Sequence, residues 1–421
     1  MWWTVICGSR LSQGLIATGI LALCAFPLHA QNNDKQDFAL IARGRYLATV
    51  GDCTACHTAP GGKFLAGGRS LETPFGYIVA PNITPDRATG IGGMSDETFD
   101  NAMQNGISDV HLYPAMPYPY YTKVRRSDVT AIRAWLNTVQ PVVNKVHSDT
   151  LPFPFNIRAS MIGWDKLFFT PGEWRDQLGK SAEWNRGGYL VEGLGHCGAC
   201  HTPKNMFGAD EDSQHLQGYA LQGWFAPEIT GNKRIGVGGW SADEIVEYLK
   251  NGSNQYTSAS GPMAEEISDS TSHWTMEDLR AAATYLLDQP GSNRAAPAAV
   301  ASEDPVMRAG AAIYADECSA CHTMSGAGIA RLLPALKGSP FVQQANPLSL
   351  IHVILDGTRA VATASAPTGP AMPAFGWKLS DDQVASVVTY IRNAWGNAAA
   401  PVTADTVQSD RKLLDRGQGG S

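Results

Sequence analysis

The stretch "GDCTACHTAP" (51–60) decides how the chain is read. Cys53 and Cys56 stand three apart, and His57 follows the second at once. The same C-x-x-C-H spacing returns at Cys197, Cys200 and His201, and again at Cys318, Cys321 and His322. The sequence of 421 residues holds eight cysteines; the other two, Cys7 and Cys24, lie in an apolar N-terminal stretch. Beyond that stretch every cysteine belongs to the motif.

Three chemistries use close cysteine pairs. A closed structural zinc site wants four ligands, and each cluster here offers three. A redox dithiol does not demand a histidine directly after its second cysteine. Covalent haem attachment uses every part of the motif: both thiols add to the vinyl groups of one flat ring, and the next imidazole rises to the iron. One helical turn from the first cysteine to the histidine provides that geometry. Three copies in a chain with no cysteine to spare favour this reading, which predicts three covalently bound haem c groups.

The rest of the composition agrees with an exported globular protein. A net charge of −7 with no basic stripe argues against nucleic acid as a partner. Residues 1–30 read as a cleaved signal peptide, with Arg10, the apolar run "LIATGILALCAF" (15–26) and "LHA" (28–30) before Gln31. That run is short for a membrane span. No twin-arginine pair precedes it, so the general secretory route is implied.

Repetition extends well beyond the cysteines. "RGRYL" (43–47), "RGGYL" (186–190) and "RAGAAIY" (308–314) precede the three motifs. "APNIT" (80–84), "APEIT" (226–230) and "LPAL" (333–336) follow them. Short amphipathic stretches ending in Asn-Gly or Asp-Gly come next, at 92–106, 238–252 and 346–357. Each unit closes with a helix pattern, at 127–136, 275–286 and 380–391, with Ser or Thr at the N-cap. The pattern predicts an all-α chain of three tandem cytochrome c domains, 37–140, 181–290 and 303–397, each wrapped round one covalent haem. Residues 141–180 form an apolar connector whose segment 151–174 is expected to pack between domains. Residues 291–302 are an exposed Pro/Ala-rich linker, and 398–421 a polar C-terminal tail. Domains this small draw much of their core from the porphyrin, so the chain without haem is expected to fold poorly.

A methionine opposite the histidine raises a haem's potential and closes its iron to other ligands. Met116, Met263 and Met372 occupy matching places, 59, 62 and 50 residues after His57, His201 and His322. Met94, Met103 and Met276 are expected to fill cores, and Met324 lies too close to His322 to reach the far face of its ring. His111, His273 and His352 share no repeat position and read as surface or helix-face residues. His196 is placed for a haem edge. Pro81, Pro227 and Pro334 recur where a backbone carbonyl could accept the other N–H of each ligating imidazole.

With "GRYLATVGDCTACHT", "LYPAMPY", "RGGYLVEGLGHCGACHTPKN", "MAEEI" and "MPAFGWKLSDDQVASVVTYIRNAWGN", the chain resembles the triheme cytochrome c subunits of membrane-bound dehydrogenases. These serve quinoprotein alcohol dehydrogenase and the flavin-dependent gluconate, sorbitol and fructose dehydrogenases. The resemblance implies a large catalytic subunit carrying flavin or pyrroloquinoline quinone, accompanied by a small subunit. Electrons would then run along three haems to ubiquinone or a terminal oxidase, on the periplasmic side of the inner membrane. Related subunits serve molybdenum-containing aldehyde and N-heterocycle dehydrogenases, and a freestanding multihaem carrier is a further alternative. Relatives often end in an apolar, membrane-attaching stretch. The polar residues 400–421 depart from that, which shifts any contact with the membrane surface to 151–174 or to a partner. A haem enzyme would need an open sixth position. With all three methionines present, the sequence predicts electron transfer, no catalytic residue, and a subunit that does not itself oxidise substrate.

Overall fold

The computed structural model describes residues 37–147 and 149–418; the signal peptide expected at 1–30 lies outside the described residues. A glycine governs each of three helix crossings. Helix Phe38–Val50 lies against Arg126–Leu136, Ala182–Tyr189 against Met276–Leu287, and Pro305–Glu317 against Asp381–Asn393. A Cβ on Gly44 would sit 1.8 Å from the Ala131 carbonyl oxygen, one on Gly187 1.9 Å from that of Ala281, and one on Gly310 2.2 Å from that of Ser386. Only hydrogen fits there, so helix axes approach more closely than larger side chains permit. Glycine inside a helix costs about 1 kcal/mol relative to alanine; the packing it permits offsets that cost.

Between each pair of crossing helices lies a shorter one, bounded as its sequence dictates. Asp96–Asn105 starts at Ser95, whose side chain accepts from Thr98 N, and stops at Gly106 in the left-handed region. Ala242–Asn251 has a full capping box from Ser241 and Glu244 and stops at left-handed Gly252. In the third unit Leu348–Leu355 runs to Asp356, and Gly357 has φ 71°. Thr275 and Ser380 cap their closing helices as expected. Ser127 does not. The helix begins at Arg126, whose backbone N–H donates 2.9 Å to the Glu173 carboxylate, so a residue of the connector does the work of a cap.

The chain is mostly helical rather than all-α. Three two-stranded antiparallel ladders pair Ser70–Thr73 with Gly76–Val79, Tyr219–Leu221 with Trp224–Ala226, and Thr358–Arg359 with Ala371–Met372. The first two turn tightly through Gly76 and Gly223 at positive φ, the third through a longer loop, and the strands are too short to have shown an alternating pattern. Among the described residues no helix is long and apolar enough to cross a membrane.

Apolar burial divides unevenly. One core runs through both of the first two helix crossings, from Leu47, Val50 and Ile132 to Leu190, Leu279 and Leu286. A second surrounds Tyr314, Ile351, Val384 and Val388 and extends to Val407 and Leu414. The last two residues correct the expected polar tail: Ala404–Gln418 is a helix packed on Leu348–Leu355 and Asp381–Asn393. Val407 and Leu414, seven residues apart, share the buried face, which a count of polar residues conceals. The connector packs only in part. Leu151 and Met161 are buried, whereas Phe153 is 79% and Leu167 76% exposed.

Candidate functional site

Each C-x-x-C-H motif forms the short turn that its spacing requires. Cys53–His57 is helical, entered through Asp52 at φ 47°. His201 N donates to Cys197 O over 3.0 Å, and His322 N to Cys318 O over 2.9 Å, which sets each histidine one turn beyond its first cysteine. All six thiols are free, despite a spacing that many dithiols use to close a disulfide. Burial pushes the Cys53 and Cys56 thiols up to about 12 and those of Cys200 and Cys318 up to about 11. They stay protonated and apolar, suited to a hydrophobic ring rather than to a closed thiolate cage.

The three imidazoles are oriented alike. His57 Nδ1 lies 2.8 Å from Pro81 O, His201 Nδ1 2.6 Å from Pro227 O, and His322 Nδ1 3.0 Å from Pro334 O. A proton on Nδ1 in each contact leaves the Nε2 lone pair for a metal. Burial lowers all three pKa values, against the opposite pull of the carbonyls, so the rings are neutral and able to ligate at neutral pH. A further bond braces each turn: Gly67 N to His57 O, Gly218 N to His201 O and Gly328 N to His322 O.

A cavity of about 1940 Å³ holds the first two motifs together. Its walls include Cys53, Cys56, His57 and Met116 and also Cys197, Cys200, His201 and Met263. Met116 sits in the turn closed by its own N–H to Tyr113 O, and Met263 on helix Pro262–Asp269. In the third unit Met372 and Cys318 pack against the same core, and Met372 pairs with Thr358. Neutral imidazoles, paired free thiols, methionines and an apolar cavity of this size together suit covalent haem. When bound, haem supplies reversible one-electron chemistry at its iron.

The remaining sequence candidates sort themselves by position. Met103 is buried as expected, but Met276 is 47% exposed, because it opens its helix on the solvent side. Met94 packs against the first core, and Met324 is exposed. His111 sits 3.4 Å from Asp165, and His273 bonds Ser268 O. His352 bonds Gly223 O and stacks on Trp224, so it belongs to an interface rather than to a surface. His196 faces the cavity and packs at a tilt against Tyr121, and burial lowers its pKa to about 4.

Charged groups around the cavity escaped the sequence reading. Asp52 and Glu266 share a hydrogen bond in its wall, and burial pushes both carboxyls up. Glu265 forms an ion pair with Arg69, which also donates to Ala55 O and so ties the Met263 helix to the first motif. Buried Glu192 accepts from Lys123 and His215, each within 3.0 Å, and from Tyr285. These partners lie up to 93 residues apart, so local spacing gives no signal for them.

Comparison with known proteins gives this geometry a family. The cytochrome c family model matches residues 307–395. The cytochrome c subunit of gluconate 2-dehydrogenase from Pantoea cypripedii is 39% identical, covering 93% of this chain and 94% of its own. That of quinone alcohol dehydrogenase from Gluconobacter oxydans is 37% identical, covering 96% and 88%. The fructose dehydrogenase cytochrome subunit of Gluconobacter japonicus is 37% identical, covering 88% and 82%. With motif, cavity and similarity all in agreement, the chain belongs to the family of cytochrome c subunits of dehydrogenases, electron-transfer subunits that carry covalently bound haem c.

Proposed function

We propose that the chain carries three haems in tandem cytochrome c units, 37–140, 181–290 and 303–397, and passes electrons along them from a catalytic dehydrogenase subunit to the respiratory chain. The observation that carries this reading is the threefold recurrence of one arrangement: a free thiol pair, a histidine turn and a proline carbonyl on Nδ1. Cys53 and Cys56, Cys197 and Cys200, and Cys318 and Cys321 hold the haems. His57 with Met116, His201 with Met263, and His322 with Met372 are the axial pairs, and Pro81, Pro227 and Pro334 orient the histidines.

The partner is a large subunit with flavin or pyrroloquinoline quinone, and the acceptor ubiquinone or a terminal oxidase. The relatives' printed names, which span gluconate, alcohol and fructose, support a polyol, sugar-acid or alcohol substrate for that partner. The subunit acts at the periplasmic face after export, held peripherally or by its partners. A nicotinate dehydrogenase subunit that is 38% identical over 84% of this chain favours a second reading, service to a molybdenum-containing N-heterocycle dehydrogenase.

Haem per polypeptide, from pyridine haemochrome absorbance and intact mass, tests the haem count. Three supports the reading, and two or fewer overturns it. Tagged purification from gently solubilised membranes tests the partner: flavin or quinone cofactor in the co-purifying large subunit supports the first reading, and molybdenum selects the second.

A further inference from the structure

The second and third units meet through an aromatic stack to which each contributes one ring. Trp224, on the strand Trp224–Ala226, lies over His352 of helix Leu348–Leu355 with ring centroids 3.9 Å apart and planes 28° from parallel. His352 Nδ1 bonds Gly223 O over 2.9 Å, and Ser349 Oγ of the same helix bonds both Phe225 N and Phe225 O. Backbone and ring are therefore held together along one full helical turn.

The segment that carries each ring is connected to a methionine. On one side the Trp224 indole covers Gly261, where a Cβ would sit 2.4 Å from the ring, two residues before Met263. Trp224 also lines the cavity that contains His201 and Met263. On the other side the His352 helix leads through Asp356 and Gly357 into Thr358, the strand partner of Met372. Phe375 N and Gly376 N return to Ile354 O and Leu355 O of that helix. Trp224 packs against the core of the third unit, as Met372 and Cys318 also do, although its strand belongs to the second. The contact thus joins the backbones that present the two methionines.

We infer that the Trp224–His352 stack is the electronic junction between the second and third haem sites, a positioning contact that closes the gap on their methionine sides. The inference rests on the three-haem reading. One electron leaves iron at one site, which goes from ferrous to ferric, and reduces iron at the other from ferric to ferrous. No bond and no proton changes hands, and neither ring is oxidised. Electron exchange weakens steeply with the gap between conjugated systems, so packed rings in contact carry it better than a methyl group and solvent. Stacked rings at this spacing also resist relative movement.

The test uses the haem-loaded full chain. Haem content of the unmutated protein comes first: fewer than three haems there sinks the three-haem reading, a failure separate from that of the junction. Rapid reduction, freeze-quenching and electron paramagnetic resonance then follow the ferric signals of the second and third haems in Trp224→Leu and His352→Ala. Each substitution is expected to slow exchange by about tenfold or more with all three haems present and their potentials unshifted. Trp224→Phe and His352→Phe, which keep a ring in place, are expected to restore most of the rate. Unchanged exchange in folded Trp224→Leu and His352→Ala overturns the inference, and so does slowing that tracks a shifted potential, which marks a purely structural role. Should Trp224→Leu fail to assemble, the His352 pair carries the same test.

Discussion

The two junctions of this molecule are built on different plans. Between the first and second units the contact is reciprocal. Arg43 binds Asp128 of its own unit, and Tyr189 of the second unit donates to the same carboxylate over 2.6 Å. Arg186 binds Asp278 of its own unit, and Tyr46 of the first unit donates to that carboxylate, also over 2.6 Å. Equivalent repeat residues thus exchange equivalent bonds, as the two halves of a twofold-symmetric dimer do, but within one chain. One apolar core and one cavity span both units. The junction between the second and third units has no such exchange. It is held by one aromatic stack, by Ser349, by Gln344, whose amide donates to Ile235 O over 2.6 Å, by Arg234, which donates to Gln343 O and Ala398 O, and by an Arg331–Glu247 ion pair.

The comparison teaches that sequence repetition does not fix how repeats associate. In register with Gly44 and Gly187, Gly310 is preceded by Ala309 where the other units have an arginine, and followed two residues on by Ala312 where they have a tyrosine. Without that hydroxyl the third unit cannot join the exchange, and it attaches through a ladder and a helix face instead.

The largest expected effect comes from Asp128→Ala or Asp278→Ala. Either removes a buried carboxylate and leaves an arginine, exposed Arg43 or part-buried Arg186, and a tyrosine hydroxyl of the neighbouring unit without it, at a cost of about 3–5 kcal/mol. Burial pushes the Asp278 carboxyl up, yet bonds from Arg186 and Tyr46 hold it below the usual range, so the interaction is net favourable. Denaturant unfolding of the haem-loaded chain should give the two variants equal losses. Unequal losses would break the claim of reciprocity.

Glu192→Gln comes next, because Lys123, His215 and Tyr285 all converge on this carboxylate. Burial raises its pKa, but His215 and Lys123 outweigh that and bring it down to about 2. A depressed acid stabilises the fold above its unfolded pKa and loses that contribution as pH falls through the folded one. A loss of about 2–3 kcal/mol is expected at pH 7, shrinking as pH falls from about 4.5 towards 2. A loss independent of pH across that range would show that shape, not charge, is what matters there.

Tyr46→Phe and Tyr189→Phe sharpen the comparison further. Each removes one crossing bond to a charged group, and each should cost about 1.5–2 kcal/mol. A double-mutant cycle across the pair would measure how strongly the two halves of the exchange support each other. Smallest is Ser349→Ala, which loses the bonds to Phe225 and should cost about 1 kcal/mol. It should leave haem absorbance in the first two units unchanged; a change there would mean that the second junction is not independent of the first.

Much of the site was legible because its chemistry is local. A covalent haem needs two thiols and an imidazole under one ring, so the motif proposed to hold it is confined to five residues, and Cys53, Cys56 and His57 could be picked out at sight. Capping chemistry set most helix ends for the same reason, at Ser241, Ser380, Gly106 and Gly252. Pro81, Pro227 and Pro334 were found because a repeat turned a distant contact into a recurring one. The three short ladders were not found, since their strands are too short to show an alternating pattern, and neither were the docked helix Ala404–Gln418 and the missing cap at Ser127, which depend on partners far along the chain.

By itself the sequence determined the three C-x-x-C-H motifs with their spacing and the crossing helices, whose glycines leave no room for a side chain. Only the tertiary structure decided which units share a core, which tyrosine crosses to which aspartate, and that His352 stacks on a tryptophan instead of facing solvent. The reason is range. Attachment, capping and helix period are settled by bonds a few residues apart, whereas the junctions depend on side chains from segments up to 232 residues apart that meet only once the chain has folded.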